Sequence, residues 1–136
     1  MADTAPHTTK LTGNSPSAIA AADAALHIGE APYIGEITGV SYTPVADVTG
    51  DNTESRTLTL VNRGQTGAGV TVAATLAFVT GVDGTEDDEL AFTLGVAANL
   101  DLADGDVLEF VSTSVGGTGL ADPGGHVQVE ISRGLS

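Results

Sequence analysis

The chain has 136 residues and a formal net charge of −14, with 4 Lys and Arg against 18 Asp and Glu. Proteins bind nucleic acid and anionic lipid through Lys and Arg, so a surface this acidic excludes both as direct partners. The absence of cysteine excludes disulfides and thiolate metal sites. The 18 glycines and the 4% of aromatic residues favour short strands and tight turns over a helical bundle.

The beginning of the chain does not have the composition of a targeting signal. Residues 1–7 contain neither a basic stretch nor an apolar one, and no later run approaches the roughly 20 apolar residues that span a bilayer. We therefore expect synthesis in the cytoplasm, with no signal-peptide export and no membrane anchor.

Residues 1–32 are rich in Thr, Ser, Pro and Ala, and we interpret them as an N-terminal arm that precedes a β-sandwich domain of residues 33–136. One short helix is predicted within the arm, because Ser15 can cap it, Pro16 suits its first position and Gly29 follows its end. Its apolar stripe consists of Ile19, Ala22 and Leu26.

A helix of about a dozen residues is marginal alone in water, so this segment must dock on its own domain, dock on a partner or stay disordered. We predict that the arm binds a partner through two segments, 6–11 and 19–26. The predicted partner-binding residues are Pro6, His7, Leu11, Ile19, Ala22 and Leu26.

From Tyr33 onward, β-branched residues alternate with polar ones between Gly-, Asp- and Pro-rich turns, which predicts strands. Val127, Val129 and Ile131 show this alternation most clearly and indicate a sheet with one wet face. Segment 70–79 is the most apolar and is predicted to be a central strand that is buried on both faces. The predicted strands are 34–43, 56–62, 70–79, 89–94, 107–114 and 127–132.

The turns favour an all-β antiparallel sandwich, either jelly-roll-like or immunoglobulin-like. Pro123 and Gly124 suit the central positions of a type II turn, and segment 62–69 is predicted to be a hairpin loop. Phe78, Phe92 and Phe110 lie in three different predicted strands, and we expect them to form the centre of the core.

The sequence has no catalytic signature. His7, His27 and His126 are far apart and lack metal-ligand spacing, and no nucleophile motif frames a Ser or Thr. The Gly-rich segment 62–69 lacks the Lys and the order of a phosphate-binding loop. We predict a protein that is not an enzyme and has no cofactor.

Two acidic loops leave two interpretations open. Their carboxylates could supply oxygen ligands to Ca²⁺, although the spacing is not that of an EF-hand, or they could be ordinary solvated turns. The residues concerned are Asp83, Glu86, Asp87, Asp88 and Glu89 in one loop, and Asp101, Asp104 and Asp106 in the other.

Two stretches carry a resemblance to a known family: DVTGDNTESRTLTLVNRG at 47–64, and the run from LADGDV at 102–107 to ADPGG at 121–125 and the last predicted strand. They resemble the small head-decoration, or minor capsid, proteins of tailed bacteriophages that infect actinobacteria. The resemblance covers roughly the C-terminal two thirds. It implies a β-sandwich that binds the exterior of an assembled capsid, often as a trimer, with the major capsid protein as its partner. Deletion of residues 1–30 would then leave a folded domain with weaker attachment.

A carbohydrate- or host-surface-binding sandwich of a fibre or adhesin is the alternative. Such sites expose aromatic rings for stacking, and Tyr33 and Tyr42 are the only candidates beyond the core phenylalanines. A small hydrolase or isomerase is a third hypothesis, and it would require a pocket with convergent titratable groups.

Overall fold

A computed structural model of the chain describes residues 7–133, which contain ten β-strands and one four-residue helix. No helix in this range is long and apolar enough to cross a membrane. The elements are β1 (Thr8–Ser15), β2 (Ala24–Glu30), β3 (Gly35–Pro44), β4 (Ser55–Gly64), β5 (Thr71–Phe78), β6 (Leu90–Ala91), β7 (Thr93–Leu94), α1 (Ala97–Leu100), β8 (Asp101–Leu102), β9 (Val107–Val115) and β10 (Gly125–Ser132).

The strands form two antiparallel sheets. The first has the order β1-β10-β3-β6, with β8 also paired to β3, and the second has the order β2-β9-β4-β5-β7. The first strand thus pairs with the last and the second with the ninth, so the chain is a long antiparallel ribbon rolled into two layers. This is the connectivity of a jelly roll. The predicted all-β sandwich is confirmed.

Period-two alternation places one face of each long strand in the core. Val127, Val129 and Ile131 of β10 are fully buried, as their spacing predicted. The predicted strand 89–94 is instead divided at Phe92 into β6 and β7, which belong to different sheets. The chain changes layers at this point, and the Phe92 N–H donates to Val40 O at 2.9 Å.

Aromatic rings form the centre of the core. Phe78, Phe92 and Phe110 are buried, which confirms the prediction. Tyr42 joins them: its ring centroid lies 5.9 Å from that of Phe110 in a stacked arrangement, and 6.3 Å from that of Phe78 in an edge-on one. These geometries add to the area that the rings bury.

The prediction that segment 70–79 is central and buried on both faces is wrong. β5 lies between β4 and the two-residue β7, and Val70 and Val72 are exposed at its beginning. Burial begins at Ala73. The apolar character of this segment therefore marks a surface patch as well as a core strand.

The predicted hairpin loop between β4 and β5 is confirmed, and it is closed by a hydrogen bond from Gly69 N to Arg63 O.

The helix predicted within residues 1–32 is also wrong, because this part of the chain contributes two strands. β1 pairs along its whole length with β10, and β2 pairs with β9. Ile28 of β2 is buried while His27 is exposed, so period-two burial prevails over the helical stripe. The cause is tertiary: each strand completes a ladder on the edge of an existing sheet.

Candidate interaction surfaces and a buried polar network

Arg56 is a cation in the interior of the sandwich, with 1% of its surface exposed. Its guanidinium donates through Nε to Leu120 O at 2.6 Å and through Nη1 to Ser112 Oγ at 2.9 Å. Nη2 donates to Ile19 O at 3.1 Å and to Ala22 O at 2.8 Å. A buried charge is tolerated only when it is hydrogen-bonded in this way, and Arg56 meets that condition.

Asp122 supplies the balancing negative charge. The Ser112 hydroxyl, which accepts from Arg56, donates to Asp122 Oδ2 at 2.6 Å, and the Tyr42 hydroxyl donates to Oδ1 at 2.7 Å. The Gly124 N–H also donates to Oδ1, at 2.9 Å. We call these four side chains, Arg56, Ser112, Asp122 and Tyr42, the Arg56 network.

The Arg56 network anchors two connections to the sandwich. It binds carbonyls of segment 16–23, between β1 and β2, and of segment 116–124, between β9 and β10. Reciprocal backbone hydrogen bonds between Ala18 and Asp122 join the same two segments. The four side chains are at most 3% exposed, so a dissolved substrate does not reach them. Their role is to hold the chain where it crosses between sheets.

The ionisation of Tyr42 gives a measurable consequence. Burial, together with the charge and hydrogen bond of Asp122, raises the pKa of Tyr42 far above its usual range. The native state therefore holds the Tyr42 proton more tightly than the unfolded state. The contribution of protonated Tyr42 to the stability of the fold is present below about pH 10 and is lost as the pH rises further.

We predict that a Tyr33→Phe protein, in which Tyr42 is the remaining tyrosine, shows no tyrosinate absorbance at 295 nm until its circular dichroism reports unfolding. Tyrosinate that forms near pH 10 in a protein with native circular dichroism would contradict this prediction. The Tyr33→Phe, Tyr42→Phe double variant, which has no tyrosine, serves as the blank for the remaining absorbance.

The surface charge is distributed unevenly between the two ends of the sandwich. Strand pairing brings segments 16–23, 45–54, 79–89 and 116–124 to one end, which we call the acidic end. Those segments contain no Lys or Arg. Their exposed carboxylates belong to Asp23, Asp47, Asp51, Asp83, Glu86, Asp87, Asp88 and Glu89.

The opposite end carries the first and last described residues, and we call it the terminal end. The Arg133 N–H donates to His7 O at 2.8 Å, so the two ends of the described chain adjoin. The Tyr33 hydroxyl lies 2.9 Å from Thr9 Oγ1, and the Arg133 guanidinium carbon lies 5.6 Å from the centroid of the Tyr33 ring.

The terminal end also carries exposed aliphatic side chains. Val70, Val72 and Val96 form what we call the aliphatic corner, where the Gly95 N–H donates to Ala73 O at 2.7 Å and holds the two segments together. Helix α1 follows directly and contacts both β5 and β3. Ile34, just before β3, is exposed beside a depression of about 280 Å³ that is also lined by Glu36, Asp101 and Arg133.

The structure separates the predicted partner-binding residues. Pro6 lies outside the described residues. His7 lies at the terminal end, whereas Ile19 and Ala22 lie in the connection at the acidic end. Leu11 and Leu26 are partly buried and pack against the core. The five of these residues that the structure describes therefore do not form one surface, and the prediction that the set binds a partner stays a prediction.

The acidic loops do not assemble a metal site within residues 7–133: no three His, Asp or Glu side chains in this range are placed to hold an ion. Asp106 accepts hydrogen bonds from Asn62 Nδ2, the Ala103 N–H and Gln65 Nε2, and so closes the turn before β9. Burial opposes its ionisation, but these hydrogen bonds outweigh the burial and lower the pKa of Asp106.

The histidines likewise do not converge. His27 Nε2 lies 3.4 Å from Glu109 Oε2 on the exposed face of the second sheet, where Glu109 also pairs with Arg63 at 2.7 Å. His126 lies beside Asn14 in the other sheet. An exposed His beside a partly buried carboxylate that already pairs with Arg63 is a common surface feature and does not constitute a catalytic arrangement.

Comparisons with known proteins do not identify a family. No family model matches the chain, and no curated protein matches it. One solved structure to which the chain is similar is described as the structure of infectious bursal disease virus Gx strain, at 14% identity and a TM-score of 0.41. The match covers 93% of this chain and 32% of that chain, so this chain spans about a third of the length of that protein.

Proposed function

We propose that this chain is a structural protein of a virion. In this proposal, it binds the exterior of an assembled capsid and stabilises the capsid by bridging major capsid subunits, as a homotrimer. It is made in the host cytoplasm, acts without a cofactor and breaks no covalent bond. The observation that supports a binding role most strongly is the group of exposed aliphatic side chains at the terminal end, Ile34, Val70, Val72 and Val96, which lies opposite the end that carries most of the exposed carboxylates.

The two-layer body is suited to such a role. Jelly rolls are used in viral capsid and lectin domains, although a fold alone does not define a function. In this chain the buried polar groups are hydrogen-bonded to one another, as in the Arg56 network. The family resemblance of segments 47–64 and 102–125 supports the choice of a capsid as the partner.

Bridging stabilises a capsid because area buried between neighbouring subunits must be exposed before they separate. A specific contact buries roughly 800 Å² on each partner. A trimer presents the same patch several times, so that individually weak contacts combine into strong attachment. A domain of this size can therefore bind firmly when it is repeated by symmetry.

The carbohydrate-binding alternative has less support. Tyr42 is fully buried and hydrogen-bonded to Asp122, so its ring is not available to stack on a sugar. Tyr33 is partly buried, and the Arg133 guanidinium lies against its ring. The two aromatic residues on which this hypothesis depended are thus both engaged within the fold.

We expect the purified chain to co-sediment with undecorated shells of the virus that encodes it, and to raise the temperature at which those shells rupture. Analytical ultracentrifugation of the free protein should show a trimer. The control is a shell that already carries the protein, which should bind no more of it. Failure to co-sediment with undecorated shells at tens of micromolar would refute the proposed function.

A further inference from the structure

We infer that the terminal end is the surface that contacts the shell, and that the acidic end faces solvent. The inference rests on the proposed function and adds an orientation and a contact surface to it. Its centre is the aliphatic corner of Val70, Val72 and Val96, together with Ile34. The partner surface that fits is that of a protein with an apolar centre and a basic rim.

The aliphatic corner is suited to docking. Val70 is 76% exposed and Val96 is 68% exposed, and both belong to a part of the chain that is tied together by the hydrogen bond from Gly95 to Ala73. β-Branched side chains have few rotamers to lose, so their burial costs little conformational entropy. Exposed aliphatic patches bordered by polar residues mark interaction sites in soluble proteins.

The distribution of charged side chains indicates which end of the sandwich contacts the shell. Ile19 and Val45 are also exposed, but they lie at the acidic end. Contact there would remove water from many carboxylates at once, because no Lys or Arg is present in its connections to compensate them. At the terminal end, contact can bury the aliphatic side chains while leaving most of the carboxylates of the chain in solvent.

Charge also indicates what the partner surface is like. Glu36, Asp101 and Asp104 are exposed around the terminal end, and Arg133 is exposed beside the first two, so carboxylates outnumber the cation there. A second copy docked with the same patch against it would bring two rims with excess negative charge together, which is unfavourable, whereas a shell surface with a basic rim would pair with the excess carboxylates. The occupant is therefore a shell subunit rather than a second copy docked patch to patch.

Two matched double variants test the orientation. Val70→Gln with Val96→Gln alters the terminal end, and Ile19→Gln with Val45→Gln alters the acidic end. All four positions are exposed and lie outside the strands, so both proteins should keep the thermal unfolding midpoint of the unaltered chain. We expect the first variant to bind undecorated shells at least tenfold more weakly, and the second to bind like the unaltered chain.

The outcomes separate this inference from the proposed function. If the unaltered chain fails to bind shells, the proposed function is wrong. If it binds but the Val70/Val96 variant binds equally well, or if the Ile19/Val45 variant is weakened as much, the assigned orientation is wrong. A basic rim on the partner also predicts that binding weakens as the salt concentration rises from 50 to 300 mM. Salt at these concentrations screens electrostatic attraction beyond about 10 Å. Binding that is insensitive to salt would overturn that part of the inference.

Discussion

Replacement of Arg56 by Met should lower the free energy of unfolding by about 3–5 kcal/mol, the usual cost of removing one partner from a buried charged network. Met fills a similar volume but donates no hydrogen bond. The substitution leaves the carbonyls of Leu120, Ile19 and Ala22 without their donor, and it leaves the Asp122 carboxylate buried without a nearby cation. The loss follows from the Asp122 carboxylate, which stays buried, and from carbonyls in partly buried connections that lose their donor.

Urea unfolding followed by circular dichroism measures this change. Arg63→Met is the matched control, because the ion pair of Arg63 with Glu109 is partly solvated and its loss should cost about 1 kcal/mol or less. Adding Asp122→Asn to Arg56→Met should cost less than the sum of the two single changes, since the second substitution removes the orphaned charge. Equal losses for Arg56→Met and Arg63→Met would show that the Arg56 network does not hold the fold together.

The strands beyond residue 33 could be predicted because their burial follows a local pattern. In β10, buried Val127, Val129 and Ile131 alternate with polar residues, and only that spacing was needed. β1 could not be found in this way. It contains Leu11 as its only large apolar residue, and it is a strand because β10, more than a hundred residues away, offers it a ladder. Local sequence does not contain that information.

The Arg56 network was missed, although the sequence holds a signal for part of it. Arg56 is two residues before Leu58 and four before Leu60, so period two places it on the same inward face of β4. Its partners could not be inferred, because they are backbone carbonyls of connections whose positions depend on the topology. The prediction for segment 70–79 was wrong for a related reason. Val70 and Val72 are residue types that are typical of a core strand, and only the three-dimensional arrangement shows that they extend past the edge of the core.

Deletion of residues 1–30 should abolish soluble folding, whereas the sequence alone led us to expect a folded remainder. The deletion removes β1 and β2, and so exposes the edges of β10 and β9, the inner strands of the two sheets. It also removes Leu11, Leu26 and Ile28 from the packing around the core. The carbonyls of Ile19 and Ala22 are lost as well, which leaves the buried Arg56 partly without acceptors. Bare, apolar-faced strand edges promote aggregation.

A circular permutant provides the control that keeps every strand. Because Arg133 N lies 2.8 Å from His7 O, a short linker can join these two residues, and new ends can be opened in the exposed turn between Gln65 and Thr66. We expect this permutant to be soluble and to unfold cooperatively, while the truncated chain appears in the insoluble fraction or shows no unfolding transition. Both proteins have an altered N-terminus, but only the truncated chain lacks β1 and β2, so misfolding of the truncated chain alone is attributed to the loss of these two strands. A truncated chain that is monodisperse and unfolds near the midpoint of the full chain would show that these strands are dispensable, and residues 1–30 would then be free to act only as a docking arm.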